Sequence, residues 1–276
     1  MGTAPPMTEA LPLAGLRILV TRPAHQAEGL CRRIAAAGGV AVRLPTLEIT
    51  PVMDRPAARR QLESGLQADW LVFTSANAVA HAASLLPHLL RRATGRIAAI
   101  GAATAAALTH AGRSPDLVPP GEDYRSEGLL AQAALSDMAG QRVMIVRGEN
   151  GRVLLGDTLR QRGADVTYVP VYRRQCPQID RNVVVQRLTH PRGPDILVFT
   201  SPEALSNLFE LVPDGAIRQQ LRSAQVVVVS EAMVKQAQNM EFGPPLRAIA
   251  DEAGLMRTLT RWAQRLHPHK PPTLPT

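Results

Sequence analysis

Aromatic rings are scarce in this chain: nine among 276 residues. A platform for stacking single-stranded nucleic acid needs more rings than that. There are two cysteines, Cys31 inside a helical pattern and Cys176 just after an extended run, and their spacing fits neither a disulfide framework nor a redox motif. Neither HxxxH nor CxxC occurs, and His267 and His269 fall in a proline-rich terminal stretch, so no metal is expected. No run of 18 apolar residues exists to cross a membrane, and the opening residues lack the basic and apolar regions of a signal peptide. A protein of the cytoplasm, with no membrane partner, is the expectation. Gly148 to Arg152 is not a phosphate-binding Walker loop, and Ile100 to Thr104 lacks the three-glycine dinucleotide fingerprint. Neither Thr21 nor Ser75 has an attendant histidine and carboxylate, and no acid pair suits glycoside chemistry. No cofactor is expected, and any reaction should depend on positioning more than on a strong acid or base.

Lysine is nearly absent as well. Only Lys235 and Lys270 occur, so 29 of the 31 basic residues are arginines, in a chain of net charge +8. One source of that bias is a GC-rich coding sequence. The other is a polyanionic partner, because the arginine fork matches carboxylate and phosphate. The basic residues are scattered and no nucleic-acid motif is present, so a small polyacid fits better than nucleic acid.

What the chain does have is a repeat. Arg17-Ile-Leu-Val20 answers Val143-Met-Ile-Val146, and Asp69-Trp-Leu-Val-Phe-Thr-Ser75 answers Asp195-Ile-Leu-Val-Phe-Thr-Ser201, both at an offset of 126. Gly128 and Gly254 keep the same offset, and Pro45 and Pro170 differ from it by one. The order of these landmarks marks a duplication. Each copy reads strand, helix, strand, then strand, helix, strand, helix, strand, helix. In the first helix Leu30, Ile34 and Ala37 form one stripe, and Gly38-Gly39 supplies the stop. Short Val/Ile/Leu runs alternating with amphipathic helices predict parallel sheets covered on both faces. The fold class is α/β, two doubly wound parallel-sheet domains with binding loops at the carboxyl ends of their strands.

Those loops are short and polar. Thr21-Arg22, Thr74-Ser75-Ala-Asn77 and Gly101-Ala-Ala-Thr104 belong to the first copy; Arg147-Gly148 to Arg152, Thr200-Ser201 and Ser230 belong to the second. Strand-to-helix turns of small residues offer free N–H groups and a favourable helix dipole to anions. Six of them in two facing domains would line a cleft for many carboxylates. Singly, each serine or threonine reads equally as a helix N-cap.

Taken together the markers resemble the uroporphyrinogen-III synthase family. They are Val20-Thr-Arg-Pro23, Phe73-Thr-Ser75, Ile100-Gly-Ala-Ala-Thr104, Tyr124 to Gly128, Val146-Arg-Gly-Glu-Asn-Gly-Arg152, Val169-Pro-Val-Tyr172 and Phe199-Thr-Ser201, spread from Leu16 to Trp262. The resemblance implies one discontinuous domain (14–46 plus 175–265), a second (53–168) and two extended linker strands near 45–52 and 169–176; the stretch 1–13, with Pro5 and Pro6, and the proline-rich 267–276 read from their composition as flexible tails. It implies a lyase of haem biosynthesis acting as a monomer on hydroxymethylbilane, a linear tetrapyrrole with eight carboxylates. The enzyme closes the ring with inversion of the terminal pyrrole and loss of water. A catalytically silent, hinge-type binding module for a small polyanion is the alternative. Tyr172 matches the family's tyrosine and is read as general acid or as a packing aromatic. Substrate binding is assigned to Arg22, Ser75, Asn77, Gly101, Thr104, Arg147, Gly148, Arg152, Ser201 and Ser230. Arg147 and Arg152 either face the cleft or form a solvated structural pair. Many members carry Gly-x-Thr where this chain has Ser230-Glu-Ala-Met233, a departure that removes any threonine role there.

Overall fold

The structure is a computed structural model that describes residues 11–120, 126–212 and 214–266. Tyr124, His267, His269 and most of both expected tails lie outside the described residues. The chain divides into two compact units, one built from the chain up to Glu48 and from Cys176 onward, the other from Ile49–Gln175.

The first unit opens with β1 (Arg17–Val20), α1 (Ala24–Ala36) and β2 (Val40–Arg43). The second holds β3 (Glu48–Pro51), which starts at the boundary, then α2 (Arg55–Ser64), β4 (Trp70–Phe73), α3 (Ala76–Leu85) and α4 (Leu89–Arg92). It continues through β5 (Arg96–Ala99), α5 (Ala102–His110), α6 (Ser126–Leu130), β6 (Arg142–Gly148), α7 (Leu154–Gln161) and β7 (Asp165–Gln175). The chain then completes the first unit with α8 (Arg181–Thr189), β8 (Ile196–Val198), α9 (Pro202–Leu211), α10 (Gly215–Arg222), β9 (Gln225–Val228), α11 (Glu231–Asn239), β10 (Leu246–Arg247) and α12 (Glu252–Leu266).

The sheet orders show how the duplication is used. The first unit's sheet runs β10-β9-β8-β1-β2 and the second's runs β3-β7-β6-β4-β5. An isolated parallel bridge from Ala98 to Leu117 stands where β10 stands in the other sheet. At the 126-residue offset β1 corresponds to β6, β2 to the start of β7, β8 to β4 and β9 to β5. Apart from β3, which adds to the edge of the second sheet beside β7, both sheets follow the same doubly wound order, 2-1-3-4, with β10 or the Leu117 bridge in fifth place; positions 1 and 2 come from one copy and the others from the other. The duplicated, doubly wound architecture read from the sequence holds.

Burial explains why these segments are strands. Leu71, Val72 and Phe73 are fully buried, as are Ile196, Leu197 and Val198, the signature of central parallel strands covered on both faces. The first helix buries Ala27, Leu30, Cys31 and Ile34, and Gly38 takes the left-handed conformation (φ 85°) that closes it.

Three features differ from the expectation. Leu13, placed by sequence in a loose leader, is fully buried and its N–H donates to Ala37 O at 2.8 Å. The two strands that end the first β-α-β step are separate in the first copy but fuse into the single 11-residue β7 in the second. And Pro170 stands inside β7, where it has no N–H to donate. The ladder slips there, so that Arg147 faces Pro170 but Gly148 faces Tyr172, with Val171 passed over. A one-residue slip carries the next side chain to the opposite face of a strand. That slip brings Tyr172 beside Gly148.

Burial also makes a chemical statement about the thiols. Cys31 is 3% exposed, and burial pushes its pKa up against the smaller opposing effect of Arg43; Cys176 is half-buried and is also raised, by burial first and then by Glu210. Thiolate is the reactive form, so both sulfurs should label slowly near neutral pH. We expect Cys31 to react with a maleimide at pH 8 only after denaturation. Fast uptake of two equivalents by the native protein would contradict that.

Candidate functional site

In a doubly wound sheet the crevice lies outside the carboxyl ends of the strands, where the strand order reverses. In the second unit that point is between β6 and β4, and the chain there supplies Arg147-Gly148 on one side and Thr74-Ser75 on the other.

Ser75 is the N-cap of α3, with extended backbone and a side chain that accepts the Ala78 N–H at 3.0 Å. Its Oγ also lies 3.1 Å from the Tyr172 hydroxyl. Tyr172 is 3% exposed, packed into the core below the loops, with the His81 ring tilted against it at 5.6 Å between centroids. Gly148 makes room for this ring: a β-carbon there would come within 2.8 Å of two ring carbons. The placement shows Tyr172 as a packed aromatic whose hydroxyl lies within hydrogen-bond distance of one serine. Asn77 is half-buried in the first turn of α3. Gly101 is the extended N-cap of α5 and its carbonyl receives the Thr104 and Ala105 N–H groups; Thr104 is buried one turn on.

Arg147 behaves differently from a ligand-seeking arginine. It is 6% exposed, and its guanidinium donates to the carbonyls of Gly148 (3.1 Å), Arg152 (3.2 Å) and Gly151. Its charge lies over the Tyr168 ring at 4.6 Å, and no carboxylate of the described residues pairs with it. Gly151 is glycine because a β-carbon would meet the Arg147 nitrogens at 2.7 Å. The loop 148–152 is therefore wrapped around a buried cation. Arg152 takes the other branch: it is exposed and forks onto Glu127 at 2.7 and 3.3 Å.

The first unit repeats the frame with other fittings. Ser201 caps α9 by accepting the Ala204 N–H at 3.1 Å, and Ser230 caps α11 by accepting the Met233 N–H at 3.3 Å. The hydroxyl of buried Thr21 donates to Val198 O at 2.8 Å, tying β1 to β8 at the reversal point. Arg22 is largely buried and lies 4.0 Å from Glu252, which Arg33 also holds at 3.1 Å. Burial lowers the Arg22 pKa, with Glu252 pulling the other way.

The positive charge read as a sign of a polyanionic partner is partly structural. Arg113 donates to the carbonyls of Leu90, Ala93 and Gly95, Arg162 to those of Leu130 and Leu135, and Arg218 to those of Phe209 and Val212. These forks close helix and turn ends instead of facing a ligand. A depression in each unit, of about 650 and 610 Å³, lies at the amino ends of the strands, among Asp69, Arg96 and Arg142 and among Asp195 and Gln225. None of the loop residues above lines either one. Among the described residues no cluster of three metal-binding side chains occurs, and no helix is long and apolar enough to cross a membrane.

Fold and site together define a class: a duplicated, doubly wound α/β protein with hydroxyl-capped loops at its strand ends and a buried tyrosine hydroxyl in one unit. The model of the family described as uroporphyrinogen-III synthase HemD matches residues 28–254. The chain is 36% identical to the uroporphyrinogen-III synthase of Escherichia coli (strain K12) over 250 residues, covering 88% of this chain and 100% of that one. It is 35% identical to the enzyme of that name from Salmonella typhimurium over 249 residues, with the same coverage. The chain belongs to the uroporphyrinogen-III synthase family. Its fold is shared with a uroporphyrinogen III synthase from the extremely thermophilic bacterium Thermus thermophilus (TM-score 0.61, 20% identity, 91% of this chain and 100% of that one). A uroporphyrinogen-III synthetase from Helicobacter pylori 26695 gives a TM-score of 0.59 at 14% identity, over 91% and 99% of the two chains.

Proposed function

We propose that the protein cyclises hydroxymethylbilane to uroporphyrinogen III as a hydro-lyase, with Tyr172 as proton donor. The observation that carries the reading is the Tyr172 hydroxyl held at 3.1 Å from Ser75 Oγ at the carboxyl end of a doubly wound sheet. Family membership supplies the substrate class. The phenol gives its proton to the hydroxymethyl oxygen while the pyrrole nitrogen lone pair expels it as water, leaving an azafulvene. The terminal pyrrole attacks through its substituted carbon, and the spiro intermediate fragments, turns over and recloses. The proton lost when the last ring regains aromaticity restores the phenol.

Nothing in this sequence of steps needs a strong base. It needs a flexible chain held so that spiro closure is faster than direct closure, which is a positional task. Backbone N–H groups at the starts of α3, α5, α9 and α11 are suited to the carboxylates, and Arg22, Asn77, Gly101, Thr104, Gly148, Arg152, Ser201 and Ser230 are proposed to hold them, together with Ser75 through its backbone N–H. Arg147 supports the loop from beneath.

The test is incubation with freshly made hydroxymethylbilane, oxidation, and separation of the porphyrin isomers. The type III isomer should predominate. Type I alone, at the rate of the spontaneous reaction, would leave only a binding module.

A further inference from the structure

The duplication supplies an internal control for the site. Ser75 and Ser201 are the same serine in two copies, 126 residues apart, and each caps its helix in the same way, at 3.0 and 3.1 Å. Their surroundings differ. Ser75 Oγ has a second neighbour, the Tyr172 hydroxyl, whereas the hydroxyl of Ser201 meets only the Ala204 N–H among the described residues. At the offset of 126 the counterpart of Tyr172 is Thr46, and with Pro45 set on Pro170 it is Leu47, which has no hydroxyl; Thr46 is fully buried and donates its hydroxyl to Ala204 O at 2.7 Å. That hydroxyl is committed to the backbone of α9 and is not offered to Ser201.

We infer that the two copies have divided the work: Ser75 is a positioning residue that acts through Tyr172 in the chemical step, and Ser201 has no such role. The inference rests on the proposed cyclisation. The hydrogen-bond inventory of a serine explains it. Ser75 Oγ has two lone pairs and one hydrogen. One lone pair takes the Ala78 N–H, which draws electron density from the oxygen and makes its hydrogen a better donor. If that hydrogen goes to the Tyr172 oxygen, the phenol hydrogen is free for the substrate. As the phenol gives it up, negative charge develops on the tyrosine oxygen and the serine bond to it becomes charge-assisted, hence stronger in the transition state than before it. Gly148 and His81 confine the ring from two sides, so the oxygen keeps its place while the charge forms.

The experiment is steady-state kinetics on hydroxymethylbilane for S75A, S75G, S75T, S201A and Y172F, and for S75A and S201A each combined with Y172F. A charge-assisted bond implies a loss of kcat of about ten- to a hundredfold in S75A, with KM moved by less than about threefold. S75G should show the same loss, because glycine is tolerated at an N-cap at small cost, and S75T should recover most of it by keeping the hydroxyl. S201A should raise KM a few-fold, and its effect should multiply with that of Y172F. In the Y172F background S75A should cost less than about threefold more, the mark of residues that act as a unit. The inference is overturned if S75A and Y172F multiply independently, or if S201A lowers kcat as much as S75A. A wild-type protein that forms no type III isomer sinks the functional reading itself, and this is seen before any variant is compared.

Discussion

Replacing Tyr172 by phenylalanine is expected to lower kcat about a hundredfold, the lower end of what a positioned general acid contributes. The change removes one oxygen and leaves the ring, which is the part that packs: Tyr172 is 3% exposed and its ring lies against Gly148 and His81. Stability should hardly move, because only the bond to Ser75 is lost and a phenylalanine suits the apolar cluster around Val169 and Val171. KM should change by less than about threefold, since a proton donor serves the transition state more than the bound substrate. The residual activity should remain selective for the type III isomer, because selectivity belongs to the fold that holds the chain. Full activity in a folded Y172F protein would remove the tyrosine from the mechanism; loss of isomer selectivity would mean that the hydroxyl directs the closure as well as starting it.

The second large effect should come from a residue placed beneath the site. Arg147→Met removes a fork that satisfies three loop carbonyls, those of Gly148, Gly151 and Arg152. Only the bond to Gly148 is buried, and a buried acceptor left without a donor costs about 1–3 kcal/mol; water can take the donor's place at the exposed Gly151 and Arg152, so a net loss of about 1–3 kcal/mol is expected. Loop 148–152 should then lose its shape. Because Gly148 forms the wall against the Tyr172 ring, turnover should fall as well, by about tenfold or more. Arg147→Lys should rescue little, since a single ammonium cannot reach all three carbonyls as the planar fork does. Chemical denaturation with matched kinetics is the measurement. A methionine variant as stable and as active as the parent would show that the loop is held by something other than the guanidinium.

These two residues also show what the sequence discloses and what it withholds. The strand runs around Val20, Val72, Val146 and Val198, the turn glycines and the copy-to-copy offset are all local signals, and the doubly wound sheets follow from them. Ser75, Ser201 and Ser230 are legible as helix caps for the same reason: a cap is decided within three residues. The contact between Ser75 and Tyr172 spans 97 residues and depends on a ladder slip at Pro170, so no window of sequence contains it. A proline followed two residues later by a tyrosine, in a strand opposite a glycine, is the faint signal that points to it. For Arg147 the sequence leaves ligand contact and a structural role both open, because charge shows there and burial does not; its run of Gly148-Glu-Asn-Gly151 marks a loop folded tightly over something. Leu13 escapes a sequence reading because two prolines and a short apolar run look like a leader until the helix end at Ala37 gives its N–H a partner.

The exchanged repeats have a consequence during synthesis. Unit two is complete once Gln175 has left the ribosome, whereas β1 and β2 need β8, which begins at Ile196, before their sheet has a third strand. At roughly 5–20 residues per second, the first β-α-β segment waits roughly ten to thirty seconds with one flank of its sheet open. A nascent chain in that interval carries an unpaired strand edge, the kind of surface that holding chaperones bind and that neighbouring nascent chains of the same message can pair with wrongly. Slow codons after residue 175 would lengthen the exposure, and fast ones would shorten it.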